Sequence, residues 1–136
     1  FTVYGPRGRP DMAPYKFLSA ISKNITFDKY GQGNTYRDYT YIDDIVNGIL
    51  NTLSCNKTCE IYNLGNSKTV TLNEFIKICE DVTGKNALYN QLPDQPGDVP
   101  FTYSDITKAK NDLNYDPKTN LKEGLTKMYG WLKNNL

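Results

Sequence analysis

The spacing of apolar positions changes several times along the chain, and each change predicts an element. FTVYG at 1–5 is a short run of apolar and β-branched residues that reads as the end of a buried strand. GPRGRPDMAP at 5–14 holds three Pro and two Gly in ten residues and predicts a loop. Asp11 stands where a cap would be for a helix from about Met12 to Lys23. Pro14 is tolerable in its first turn, and Phe17, Leu18 and Ile21 form its apolar face. ITFDKY at 25–30 predicts a strand closed by Gly31 and Gly33, and YRDYTYI at 36–42 alternates as a second extended segment.

From Ile42 the apolar residues fall at 42, 45, 46, 49, 50 and 53, the spacing of an amphipathic helix that ends near Ser54. Asp43 and Asp44 at its start suit the positive end of the helix dipole. EIYNLGN at 60–66 predicts a short strand stopped by Gly65. Thr71 and Glu74 have the spacing of a capping box, with Leu72, Phe75, Ile76, Cys79 and Val82 on one face behind it and Gly84 as a left-handed C-cap. ALYNQLP at 87–93 predicts another strand and PDQPGDVP at 93–100 a loop. Ser104 is the expected cap of a helix over 105–113. Asn120 with Glu123 opens the last helix, faced by Leu121, Leu125, Met128, Leu132 and Leu136.

Helices and short strands thus alternate, joined by Gly/Pro-rich loops and without internal repeats, which predicts an α/β or α+β arrangement. The 136 residues suffice for one domain with a small core. The chain opens at Phe1, without Met and inside a predicted strand, which reads as a piece of a longer protein.

Composition narrows the partners. Sixteen Lys and Arg against 15 Asp and Glu leave a net charge of +1, so bulk charge favours neither nucleic acid nor a membrane surface. No window nears 18 consecutive apolar residues and no basic-then-apolar leader is present, so neither a membrane partner nor export is expected. Cys55, Cys59 and Cys79 make neither a disulfide framework nor, with His absent, a zinc pattern. Cys55 and Cys59 could pair across SCNKTC, but reduced thiols in a cytoplasmic setting are the simpler reading, with Cys79 in the core. Two Asn-x-Thr triplets, at 24–26 and 56–58, carry no weight without a sign of secretion.

The chemistry-bearing residues are few. There is no glycine fingerprint for a dinucleotide, no phosphate loop and no nucleophile elbow. No Tyr precedes a Lys by four in a context suggesting catalysis. Arg7, Arg9 and Arg37 are the only Arg among 16 basic residues, and all three flank strand ends in loops. A guanidinium fork suits a carboxylate or a phosphate, although a surface salt bridge accounts for any one of them equally well. Tyr30, at a strand end before a Gly turn, could stack on a planar base or pack as an ordinary half-buried ring. Gln95 and Asp98 could hydrogen-bond sugar hydroxyls or a phosphate, or merely form a turn.

Four runs in a fixed order carry a resemblance: FTVYGPRGRPDMAPYKF, YRDYTYIDDIVNGI, YNLGN and QPGDVPFTYSDITKAKNDLNYDPKT. Over almost the whole chain they resemble the extended short-chain dehydrogenase/reductase family of NAD-dependent sugar-nucleotide epimerases and dehydratases. TVYGPRGRPDM and QPGDV are typical of its UDP-glucuronate 4-epimerase subgroup. The resemblance implies that residues 1–136 are a small α/β substrate-binding C-terminal domain, with the last Rossmann-type strand at 1–5. The Rossmann half, with its glycine fingerprint, its NAD and the catalytic Tyr-x-x-x-Lys pair, would lie before Phe1, so no catalytic residue falls in this chain.

Carried over by position, the resemblance implies that Thr2 and Arg9 approach the sugar carboxylate and that Met12 packs near the nucleotide. Tyr30 would lie against the uracil ring, Arg37 on the diphosphate and Asp98 on the ribose hydroxyls. Gln95 would have a phosphate role at a position that is Arg in many relatives. Asp28-Lys29 is more charged than the small or apolar residues relatives often carry beside the base, and the 25–37 loop reads as slightly longer than in bacterial forms. The implied activity of the whole protein is transient oxidation at C4 of a UDP-sugar, rotation of the 4-keto sugar and hydride return. The segment alone would be inactive, and homo-oligomers are common in the family. UDP-glucose 4-epimerase, a nucleotide-sugar dehydratase and a non-catalytic binding module remain the alternatives.

Overall fold

The computed structural model describes residues 1–135. Its strands are β1 (Thr2–Tyr4), β2 (Phe27–Tyr30), β3 (Tyr36–Tyr41), β4 (Thr69–Thr71) and β5 (Tyr89–Leu92). Its helices are α1 (Ala13–Ser22), α2 (Ile42–Thr52), α3 (Leu72–Thr83), α4 (Thr107–Leu113) and α5 (Leu121–Asn135). One sheet runs β1-β3-β4, with β1 parallel and β4 antiparallel to β3. A second consists of β2 and β5 in parallel, Asp28 facing Asn90 and Tyr30 facing Leu92. The mixed α/β class expected from the pattern is therefore found.

The core lies where Tyr4, Tyr39 and Tyr41 of the first sheet meet the apolar faces of α1, α3 and α5. Phe17, Leu18 and Ile21 come from α1, Phe75, Ile76 and Cys79 from α3, and Leu125, Met128 and Leu132 from α5. Tyr39 stacks on Phe75 with ring centres 4.6 Å apart. Gly124 admits α5 to the sheet, since a β-carbon there would collide with the Tyr4 ring. Burial pushes the Cys79 thiol far above its ordinary pKa, so it is an inert packing group. The capping box of α3 has both arms, Glu74 N–H donating to Thr71 Oγ1 (3.1 Å) and Thr71 N–H to Glu74 Oε2 (2.7 Å). Gly84 closes that helix at φ 69°. Asn120 caps α5 by accepting Glu123 N–H at 2.9 Å; Leu136, assigned to the same face, lies outside the described residues.

Three expectations are corrected. Residues 60–66 form no strand. Asn66 at their end and Ser67 after it give their N–H groups to the Asp38 carboxylate, each at 3.0 Å, and the strand of this region is β4 instead. Tyr62 and Leu64 pack against Ile106, Leu113 and Tyr115 in a second small cluster. Asp11 does not cap α1; Met12 holds that position without a side-chain bond, because Asp11 pairs with Arg9. Ser104 does not cap α4, which begins at Thr107; Asp105 Oδ1 accepts Thr107 N–H at 2.9 Å, and Ser104 is buried with its N–H on Asp38. The end strands are also shorter than expected, 27–30 rather than 25–30 and 89–92 rather than 87–93.

The periodicity of α2 leaves open which of its sides faces inward, and the structure settles it. Its apolar stripe points out, with Val46, Ile49, Leu50 and Leu53 exposed at 42, 52, 53 and 81%. Asp44 and Gly48 face in. Asp44 accepts the backbone N–H groups of Lys118 (3.2 Å) and Thr119 (3.1 Å). Gly48 lies against Tyr115, where a β-carbon would sit 2.8 Å from the ring. A contiguous apolar stripe of this kind is an association surface. The chain on its own is expected to self-associate in light scattering, and Leu50→Lys with Ile49→Lys to shift it toward monomer. A monodisperse wild-type chain with a sharp unfolding transition would contradict this. Asp38→Ala leaves three N–H groups without their acceptor, that of buried Ser104 among them, and should cost about 3 kcal/mol in urea denaturation, against no measurable change for the exposed Asp116→Ala.

Candidate functional site

Between α1, β2 and the start of β3 lies a cleft of about 200 Å³, whose rim includes Tyr30, Arg37, Gln95 and Asp98. It continues into a second hollow of about 320 Å³ lined by Tyr30, Thr35, Asp94, Gln95, Asp98 and Pro100. The combined size suits a ligand larger than a single sugar or phosphate.

Local structure explains why these residues converge. The turn after β2 needs left-handed backbone at Gly31 (φ 64°) and Gly33 (φ 79°). It is pinned to α3 by Asn73, whose Nδ2 donates to Gln32 O at 3.0 Å and whose N–H donates to Gly33 O at 3.1 Å. The 93–100 loop is fastened to β3 by Tyr36 N–H to Pro100 O (2.8 Å) and Thr102 N–H to Tyr36 O (3.1 Å). Within that loop Asp98 N–H closes onto Gln95 O at 3.1 Å.

Arg37 is the one arginine on the cleft wall. Its NH2 donates to Asp98 Oδ1 at 2.5 Å and its NH1 to Tyr36 O at 2.9 Å, so the guanidinium is held in place with N–H groups to spare for a ligand. Tyr30 presents an exposed ring and Asp98 an acceptor on the same rim. The arrangement offers a planar stacking surface, a fixed cation and hydroxyl acceptors within one cleft.

Of the residues singled out in the sequence, Tyr30, Arg37, Gln95 and Asp98 come together here. Thr2 lies on β1 and Arg9 in the loop after it, neither on the cleft wall, while Met12 precedes the lining residue Ala13. Arg9 is exposed and clamped on Asp11 through Nε (3.1 Å) and NH2 (2.5 Å). That bond lowers the Asp11 pKa and raises that of Arg9. Arg7 sits in the same loop in left-handed backbone, at φ 62°.

Sequence reading missed Thr35, Phe17 and Leu72 as lining residues, while Asp28, which the resemblance set beside the base, does line the cleft. Strand parity accords with that placement of Asp28, which lies two residues before Tyr30 and so on the same face of β2. Tyr129 and Lys133 do have the Tyr-x-x-x-Lys spacing, but they lie on α5 with the ammonium over the ring at 5.0 Å, away from the cleft wall. Among the described residues no cluster of His, Cys, Asp or Glu could hold a metal, and no helix is long and apolar enough to cross a membrane. In Arg9→Ala, the Asp11 carboxyl should titrate higher, back toward the ordinary value of about 3.9, in an NMR pH series, with the unfolding midpoint unchanged.

Comparison with known proteins gives this mixed α/β chain a family. The chain belongs to the family described as GDP-mannose 4,6 dehydratase, whose profile matches residues 1–128, in agreement with the extended short-chain dehydrogenase/reductase resemblance of its motifs. It is 41% identical over 137 residues to a UDP-glucuronate 4-epimerase of Thermodesulfobacterium geofontis, spanning 100% of this chain and 42% of that protein. The crystal structure of UDP-glucuronic acid 4-epimerase from Bacillus cereus, in complex with UDP-glucuronic acid and NAD, superposes with a TM-score of 0.92 at 35% identity, over 100% of this chain and 44% of that one. UDP-glucose 4-epimerase from Thermotoga maritima, with UDP-glucose, gives 0.89 at 31% identity, over 98% of this chain and 44% of that one. The chain thus spans less than half the length of the curated relatives it matches.

Proposed function

We propose that this chain is the substrate-binding C-terminal domain of an NAD-dependent UDP-sugar 4-epimerase that acts, as a whole protein, on UDP-glucuronate. β1 is the last strand of its Rossmann-type sheet. The observation that carries this is the convergence of Tyr30, Arg37, Gln95 and Asp98 on one cleft. The Tyr30 ring offers a face to a uracil, Arg37 a fork to the diphosphate, and Asp98 an acceptor to ribose hydroxyls. Gln95 adds a neutral donor beside the phosphates. Arg37 serves the phosphate best because Asp98 and the Tyr36 carbonyl already fix its plane, so little freedom is lost on binding.

NAD does not fit the described residues. They contain no G-x-G-x-x-G or G-x-x-G-x-x-G run to cradle a dinucleotide pyrophosphate; the β1–α1 loop has only Gly5 and Gly8, set among Pro6 and Pro10. No hydride step is therefore assigned to this chain. Its part is to bind the UDP end and orient the hexose, and binding energy from the remote nucleotide is what holds a reacting carbon in place. The three free cysteines support a reducing, cytoplasmic setting.

One observation favours a neutral hexose as the second reading. Arg9, the cation assigned to the sugar carboxylate together with Thr2, is neutralised by Asp11, so a glucuronate would have to compete for it. The two readings separate in the intact gene product. On the first, Arg9→Ala lowers turnover of UDP-glucuronate at least tenfold and leaves UDP affinity unchanged; on the second, UDP-glucose is the better substrate and Arg9→Ala is silent. Both readings share the UDP cleft. Arg37→Ala should weaken UDP binding by roughly 10- to 100-fold in calorimetric titration, the scale of a lost charge-assisted bond. Absence of UDP binding to the wild-type gene product would defeat both.

A further inference from the structure

The nucleotide reading leaves one lining residue without a task. Asp28 stands on the cleft wall beside Tyr30, and a carboxylate at that place is an unusual neighbour for the anion that Arg37 would hold. Residues two apart on a strand share a face, so Asp28 and Tyr30 of β2 both turn toward the cleft, while Lys29 between them is buried with its ammonium 4.8 Å from the centre of the Tyr89 ring. The carboxylate is also oriented. Asn90, its cross-strand partner on β5, donates from Nδ2 to Asp28 Oδ1 at 3.1 Å. Asp28 Oδ2 makes no hydrogen bond among the described residues. An ionised carboxylate accepts and never donates, so it attracts only a ligand edge that presents N–H or O–H.

We propose that Asp28 reads the edge of the base stacked on Tyr30 and selects one with a ring N–H, as in uracil, over one with a ring lone pair at that place, as in cytosine. The inference rests on the nucleotide reading above and adds a base-specificity residue to it. Uracil offers N3–H to Oδ2. Cytosine in the same position puts an unprotonated N3 there, and its neighbouring N4 amine reaches Oδ2 only if the base slides along Tyr30. The base has little room to shift its edge, because Tyr30 holds its plane and Asp98 the attached ribose. The same carboxylate repels the diphosphate of any nucleotide, but that repulsion is common to UDP and CDP and cancels in their ratio. The ratio therefore isolates the edge contact.

The test is calorimetric titration of the intact gene product, wild type, Asp28→Ala and Asp28→Asn, with UDP and with CDP at one ionic strength. Wild type should prefer UDP by roughly 10- to 100-fold, the range of a hydrogen bond to a charged group. Asp28→Ala should bring the ratio close to one, whatever happens to the two affinities separately. In Asp28→Asn, the side-chain amide can donate to cytosine N3, so the ratio should fall or invert. Asp28 is solvent-exposed, and circular dichroism and the unfolding midpoint of each variant check that the fold is kept. Equal affinity of wild type for UDP and CDP, or an unchanged ratio in Asp28→Ala, overturns the role of Asp28 and leaves the nucleotide cleft standing. Failure of wild type to bind either nucleotide overturns the cleft reading itself.

Discussion

Asp38 ties together segments that are far apart in sequence, and the cleft depends on it. Its side chain is fully buried at 0% exposure and accepts three backbone N–H groups, from Asn66, Ser67 and Ser104, each at 3.0 Å. Its own N–H donates to Thr102 Oγ1 at 3.2 Å. A buried carboxylate is tolerable only with its lone pairs occupied, and without it the N–H of buried Ser104 would be stranded in the interior. Because side chains alternate on a strand, the residue before it, Arg37, points the other way, into the cleft. The 99–104 segment that Asp38 fastens leads straight back to Asp98, which holds the Arg37 guanidinium. One carboxylate thus fixes the loop that fixes the cation.

Asp44 repeats the device on α2, collecting the N–H groups of Lys118 and Thr119 just ahead of α5. Here the consequence is larger, because the helix is turned so that its acidic and glycine positions face in and its apolar stripe faces out. Burying the stripe against this chain would have exposed Asp44 and left those loop donors unpaired. The exposed Val46, Ile49, Leu50 and Leu53 accord with a chain that is less than half the length of its curated relatives. A helix whose apolar face has no cover within the chain has its hydrophobic stabilisation still to gain.

The electrostatics of the cleft are poised rather than strongly positive. Arg37 faces Asp98 directly, and Asp28 and Asp94 stand on the walls of the two adjoining hollows. Such a site does not capture anions indiscriminately. A phosphate gains from the spare N–H groups of a guanidinium already held flat, while the surrounding carboxylates favour hydroxyl and N–H edges. That balance is what the proposed UDP-sugar, with a diphosphate in the middle and donor-rich groups at its ends, would require.

Much of this was legible in the linear sequence where the determining interaction is local. The capping box at Thr71 and Glu74, the glycine stop at 84, the Asn120 cap and the periods of α1, α3 and α5 all depend on residues within a turn or two of each other. Sequence alone also placed Tyr30, Arg37, Gln95 and Asp98 on loops and strand ends suited to ligand contact. The tertiary structure decided what depends on distant partners. It showed that Asn66 and Ser67 serve a carboxylate instead of a strand ladder, and that Asp11 belongs to Arg9 instead of a helix. It put Phe17, Thr35 and Leu72 on the cleft wall and turned the apolar side of α2 outward. A 3.6-residue period states that a helix has two faces, but only the groups packed against it determine which of them is inside.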